Sequence, residues 1–99
     1  MQQKVTEFIK KHQLDCDYQT RYIDLVSEIG EIGKQILTDT NYNATKIKIS
    51  NDLILEIGDG LFSLLALCHA LDIDSQTALS LALEKYQHRF VQSGKISSK

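Results

Sequence analysis

The sequence predicts an all-α protein, a four-to-five-helix bundle, and three observations carry that expectation. Proline is absent from all 99 residues, so nothing forces an interior kink or removes a helical hydrogen bond. Apolar residues recur three and four positions apart over long stretches, which is the period of one helix face. Between those stretches lie short polar breaks rich in residues that cap or turn a chain.

The first helix is expected at about 2–14, with Val5, Phe8, Ile9 and His12 on one side and Lys4, Lys10 and Lys11 elsewhere. Asp17 is a plausible N-cap for the second, which runs to about 38 and repeats Tyr22, Leu25, Val26, Ile29, Ile32 and Ile36 at helical spacing. Residues 39–50 break that period: Asn, Asp and Thr cluster there, and Lys46-Ile47-Lys48-Ile49 alternates like a short extended piece, so a loop is expected. The third helix begins after Ser50 or Asn51 and continues to about 71. Its apolar residues cover nearly the whole circumference, the pattern of a buried helix. The fourth starts after Asp74 or Ser75 and carries Ala78, Leu79, Ala82, Leu83, Tyr86 and Phe90 to about 92. The expected organisation is a single helical domain over 1–92 and a frayed tail over 93–99.

With 42% hydrophobic residues and a net charge of −2, the chain has a thin core. It also lacks the basic surplus needed to hold polymeric nucleic acid by its phosphates. Cys16 and Cys68 are far apart and form no Cys-x-x-Cys pair, so reduced thiols in a cytoplasmic protein are expected. The N-terminus has no apolar signal core. Asp59, Ser63 and His69 interrupt the longest apolar run, so no membrane association is expected.

The two long helices carry the chemistry. The second contains Glu28-Ile29-Gly30-Glu31-Ile32-Gly33 and the third Glu56-Ile57-Gly58-Asp59-Gly60, near copies of each other. Positions three apart lie about 60° apart on a helix, one turn above each other. Glu28 therefore points with Glu31, and Glu56 with Asp59. On the third helix Asp52, Glu56, Asp59 and Ser63 make one narrow polar stripe. Carboxylates withdrawn from water cost several kcal/mol each unless something positive compensates them, and two such pairs facing each other also repel. A divalent cation resolves both difficulties. An all-carboxylate site suits Mg²⁺, or Mn²⁺, better than zinc, which prefers His and Cys. Gly30, Gly33, Gly58 and Gly60 sit beside these acids at a cost of about 1 kcal/mol each in a helix interior, and a missing side chain lets a helix or ligand come close. The bland reading, a solvated acidic face, fits one Glu-x-x-Glu well and two glycine-laced pairs poorly.

Glu-x-x-Glu followed about two dozen residues later by Glu-x-x-Asp resembles the motif pair of the all-α NTP pyrophosphatases, the MazG-like group. The segment LVSEIGEIGKQI is similar to that family's first acidic helix and LEIGDGLFSLLALCHALDID to its second. TALSLALEKYQHRF resembles its closing helix. The likeness covers about residues 20–90. One departure is plain: many members double the first Glu, where this chain has Ser27-Glu28. The resemblance implies a MazG-like fold and Mg²⁺-dependent hydrolysis of a nucleoside triphosphate, an NTP or dNTP, to the monophosphate and pyrophosphate. Glu28, Glu31, Glu56 and Asp59 would hold the metal, and Glu28 or Glu31 would act on the attacking water. Such sites need cations for the phosphates, and Lys34, Lys85 and Arg89 are the candidates, with Lys46 and Lys48 behind them. Tyr18, Tyr22, Phe62 and Tyr86 are candidates to stack on a base, although aromatics at helical spacing usually belong to a core. Too few neighbours exist to cover the third helix, so a homodimer or homotetramer with helices packed across subunits is expected. The competing readings are a non-catalytic helical regulator that binds nucleotide or metal, and a protein-interaction module.

Overall fold

The computed structural model describes residues 1–93, and among them the chain forms four α-helices and no strand: α1 (Gln2–Lys11), α2 (Tyr18–Asp39), α3 (Asn51–Ala70) and α4 (Ser75–Ser93). The tail expected after the last helix lies, from residue 94 on, outside the described residues. Each helix start has a polar cause. The Asp17 carboxylate accepts from the Thr20 amide at 2.8 Å, and the Ser50 hydroxyl accepts from the Leu53 amide at 3.1 Å, which satisfies amide donors that have no partner within the helix. Asp74 accepts from the Thr77 hydroxyl at 2.7 Å just ahead of α4.

The helix ends are less regular. α1 stops at Lys11, short of the expected 14, because Gln13 turns into the left-handed region (φ 55°) and the Leu14 amide returns to the Ile9 carbonyl at 2.9 Å. α3 closes the same way, with Asp72 at φ 55° and the Ile73 amide on the Cys68 carbonyl at 2.9 Å. Both are left-handed C-terminal closures made without the usual glycine.

Asp39 fixes how α2 and α3 meet. Its carboxylate accepts from the Ser50 hydroxyl at 2.7 Å, the Ser50 amide at 3.1 Å and the Gln35 side chain at 2.9 Å. These bonds, the Ser50 hydroxyl first, hold the Asp39 carboxyl below its ordinary range. The end of α2 is thus tied to the start of α3, and the two run antiparallel as the main packed pair. The Lys46–Ile49 segment between them is irregular rather than strand. α1 lies on another side of α3. The Phe8 and Phe62 rings meet edge to face at 6.0 Å, and the Thr6 hydroxyl lies 3.3 Å from His69, whose other ring nitrogen is 2.8 Å from Asp15. Gln2 donates to the Ile73 carbonyl at 2.9 Å and accepts from the Ser75 amide at 2.6 Å, clamping the turn into α4.

Burial falls short of what the apolar pattern of α3 predicts. Among the described residues the buried apolar side chains are Ile9, Leu53, Leu65 and Ala66 alone. On α3, Ile54, Leu55, Ile57, Leu61 and Leu64 remain 40–62% exposed. α4 hardly touches the other helices. The radius of gyration, 16.5 Å, exceeds the roughly 13 Å of an ordinary 100-residue domain. The bundle is therefore not closed within one chain: three helices pack and the fourth stands off. By length and composition alone α3 could cross a membrane, a test that the core helix of a soluble protein also passes, and one side of it carries the acids described next.

Candidate metal centre

The antiparallel register of α2 and α3 sets the acidic motifs opposite each other. Glu28 on α2 and Glu56 and Asp59 on α3 each offer a carboxylate oxygen, and these oxygens all lie within 4.8 Å of one another. All three side chains are half-buried. Glu31, one turn further along α2, is exposed and stands outside this trio, yet its charge still acts on Glu56. The Glu56 carboxyl is pushed above its ordinary range, by loss of water first and then by Asp59, Glu31, Glu28 and Asp52 in that order. Four negative neighbours acting on one carboxylate make an electrostatic hole into which a cation fits.

Size and chemistry both suit a hard divalent ion. Oxygens around octahedral Mg²⁺ at about 2.1 Å sit about 3 Å apart when adjacent and about 4.2 Å when opposite. Three oxygens on one octahedral ion can include at most one opposite pair, so closing a spread of up to 4.8 Å takes up to about 1.8 Å between adjacent oxygens, a movement that turns about the carboxylate side-chain bonds can supply. Every donor is a carboxylate, with no His or Cys in the group.

Gly60 explains how the helices come so close. It is buried, and a Cβ placed there would lie 2.9 Å from the Ile32 Cδ1 of α2. The other three helical glycines differ: a Cβ at Gly30, Gly33 or Gly58 would meet nothing within 4 Å. Among the described residues of one chain, another helix therefore comes close at Gly60 and not at the other three.

A cleft of about 400 Å³ opens beside the trio, lined by Arg21, Asp24, Glu28, Asp59, Phe62 and Ser63. The sequence reading passed over Arg21 and Asp24. Their signal was available, since Asp24 precedes Glu28 by four residues and Arg21 precedes it by seven, the same helix face. Arg21 also donates to the Leu14 carbonyl, which holds its guanidinium at the start of α2. Lys4 of α1 lines an adjoining groove with Asp59 and Phe62.

None of the predicted cations is among the residues that line this cleft. Lys34 is exposed on α2, one turn beyond Glu31. Lys85 and Arg89 ride on α4, which hardly touches α2 and α3, and the Lys85 ammonium sits 4.7 Å over the Tyr86 ring. Lys46 and Lys48 are exposed in the loop. Of the aromatic candidates, Phe62 lines the acidic cleft, whereas Tyr18 and Tyr22 line a separate apolar groove with Leu67 and Leu71. Comparison with family models, curated proteins and solved structures returned no match to this chain. The MazG-like likeness accordingly rests on the motifs quoted above.

Proposed function

We propose that this chain is a Mg²⁺-dependent nucleoside triphosphate pyrophosphohydrolase. The observation that carries the reading is the meeting of Glu28 with Glu56 and Asp59 across two helices, all within 4.8 Å, beside a cleft that also holds a cation and an aromatic ring. Glu28, Glu56 and Asp59 would hold the metal, with Glu31 completing the negative field. When bound, Mg²⁺ would neutralise charge on the triphosphate oxygens and lower the pKa of a coordinated water.

The protein's own groups then have defined tasks. Glu28 or Glu31 takes the proton from the attacking water. A bond forms from the water oxygen to the α-phosphorus, the bond from that phosphorus to the bridging oxygen breaks, and pyrophosphate leaves. Arg21, in the cleft itself, is placed to receive phosphate oxygens. It joins Lys34, Lys85 and Arg89 as a candidate for that role. Phe62 offers a face for the base or sugar.

Pyrophosphate release from a panel of nucleoside triphosphates, assayed with and without Mg²⁺, tests the reading. Glu56→Gln and Asp59→Asn should each abolish release while the far-ultraviolet circular dichroism stays helical. Activity that survives both replacements overturns it. Binding of triphosphate by calorimetry without turnover would favour the regulator instead.

A further inference from the structure

The α1–α2 connection, residues 12–17, is held from three helices at once. The Leu14 amide donates to the Ile9 carbonyl at 2.9 Å, and Ile9 is wholly buried, so this side of Leu14 is anchored on α1. The next residue, Asp15, lies 2.8 Å from the Nε2 of His69 in the last turn of α3. An ionised carboxylate can only accept a hydrogen bond, so Nε2 carries the proton. In the neutral ring Nδ1 then accepts from the Thr6 hydroxyl of α1 at 3.3 Å. The imidazole is thus fixed at both edges. Between the two anchors, the Leu14 carbonyl accepts from the Arg21 guanidinium of α2, and Arg21 is a wall of the acidic cleft.

We infer that His69 and Asp15 are positioning residues for that cleft: by fixing the Leu14 carbonyl they hold Arg21 in the pose that takes the pyrophosphate part of a nucleoside triphosphate. The inference rests on the cleft being a polyphosphate site, as proposed above. A guanidinium carries five N–H donors in one plane, so the bond to Leu14 leaves four for phosphate oxygens. Ordering a loose arginine on binding weakens affinity by up to about thirtyfold, the equivalent of its rotamer entropy. A tether in place before the ligand arrives removes part of that loss.

Charge points the same way. Asp24 follows Arg21 by three residues and lines the same cleft, the spacing at which opposite charges on a helix pair. Among the described residues no acid lies within ion-pair distance of Arg21. The Leu14 carbonyl therefore holds the guanidinium away from the carboxylates that would neutralise it, and its charge stays available beside the metal ligands. A clamp serving only to keep the α1–α2 connection folded is the rival role, and it would act on the fold rather than through one side chain.

Calorimetric titration of the full chain with inorganic pyrophosphate, in saturating Mg²⁺, separates the two roles. Arg21→Met should weaken binding at least about tenfold, the size of a hydrogen bond to a charged group. Asp15→Ala should weaken it about three- to tenfold. It should cause no further loss when Arg21 is already Met, because both changes act through one guanidinium. The rise in melting temperature that Mg²⁺ alone produces should match the wild type, since Glu28, Glu56 and Asp59 hold the ion without Arg21. His69→Asn breaks the same contact from the other side, should repeat the pattern, and is read where Asp15→Ala does not fold. Equal losses from Asp15→Ala in both backgrounds overturn the inference, as does wild-type affinity in either single variant. A wild-type chain that binds no pyrophosphate overturns both this inference and the enzymatic reading beneath it. A failed cycle in a chain that does bind leaves the enzymatic reading standing.

Discussion

Replacing Glu56 by Gln keeps the shape of the side chain and removes its charge, and the sign of the resulting stability change should depend on Mg²⁺. Without metal, the ionised Glu56 is disfavoured by loss of water and by Asp59, Glu31, Glu28 and Asp52, so Glu56→Gln should raise the melting temperature. With metal the order should reverse. Glu28, Glu56 and Asp59 lie within 4.8 Å, close enough for one ion to draw on all three after turns about their side-chain bonds. An ion that binds only the folded chain stabilises it by RT ln(1 + [L]/Kd): at about 10 mM Mg²⁺ and a dissociation constant of ~0.1 mM this is about 2.7 kcal/mol. For a chain of this size that corresponds to a rise of roughly 10–20 °C. Glu56→Gln should lose most of that rise and become the less stable of the two proteins. Melts followed by circular dichroism, with sodium chloride matched for ionic strength to remove plain screening, provide the assay. Equal rises in the two proteins, or none in the wild type, would refute the claim that these carboxylates form one site.

The same carboxylate gives a pH dependence. Because folding raises the Glu56 pKa, the metal-free protein should lose stability as pH climbs from about 4.5 through that raised value, while Mg²⁺ affinity should climb over the same window as the competing proton leaves. On the acid side, Asp17, Asp39 and Asp74 are held low by hydrogen bonds, chiefly from Thr20, Ser50 and Thr77 respectively. Their stabilisation is present above about 3.8 and should be lost as pH falls through their lower folded values. Melts stepped through this range, with calorimetric Mg²⁺ titrations, check both limbs. Gly58→Ala gives a separate sign test. A Cβ there meets nothing within 4 Å in the single chain, so at concentrations too low for association the variant should gain about 1 kcal/mol of helix stability. Gly58 borders Ile57 and Leu61, both exposed on α3, so at high concentration the added methyl should weaken the self-association expected from the sequence; a gain of equal size at all concentrations would show that no copy packs closely there.

Much of this architecture is legible in the residues. The three-and-four spacing marks all four helices, and Asp17 and Ser50 mark two of their starts. The convergence of Glu28 with Glu56 and Asp59 follows once two helices carry similar motifs and a short loop returns one onto the other. The end of α1 was harder, because Gln13 takes a left-handed conformation that composition does not announce when glycine is absent. Arg21 and Asp24 line the cleft but lie outside the repeated acidic motifs, so only the whole face of α2, with Asp24 four and Arg21 seven residues before Glu28, marks them. The placement of Lys85 and Arg89 is illegible for a different reason: α4 makes few contacts with the other helices among the described residues, so its position does not follow from the helical period of its sequence.

The apolar circumference of α3 is best understood as three separate demands rather than one burial requirement. Gly60 serves the contact with α2, and the acids lie along that same seam. Phe62 meets Phe8 of α1, and Leu65 shares a groove with Gln2 and Gln3. Ile54, Ile57, Leu61 and Leu64 stay largely exposed, and they leave uncovered the kind of surface that a soluble monomer rarely carries. A helix needed on all three sides cannot afford charge except where an ion or a water-filled cleft receives it. That is why Glu56 and Asp59, side chains an otherwise apolar helix would exclude, are informative about chemistry rather than solubility. Gly60 belongs to the same seam: a Cβ there would lie 2.9 Å from the Ile32 Cδ1, so the end of that side chain would have to turn aside to admit it.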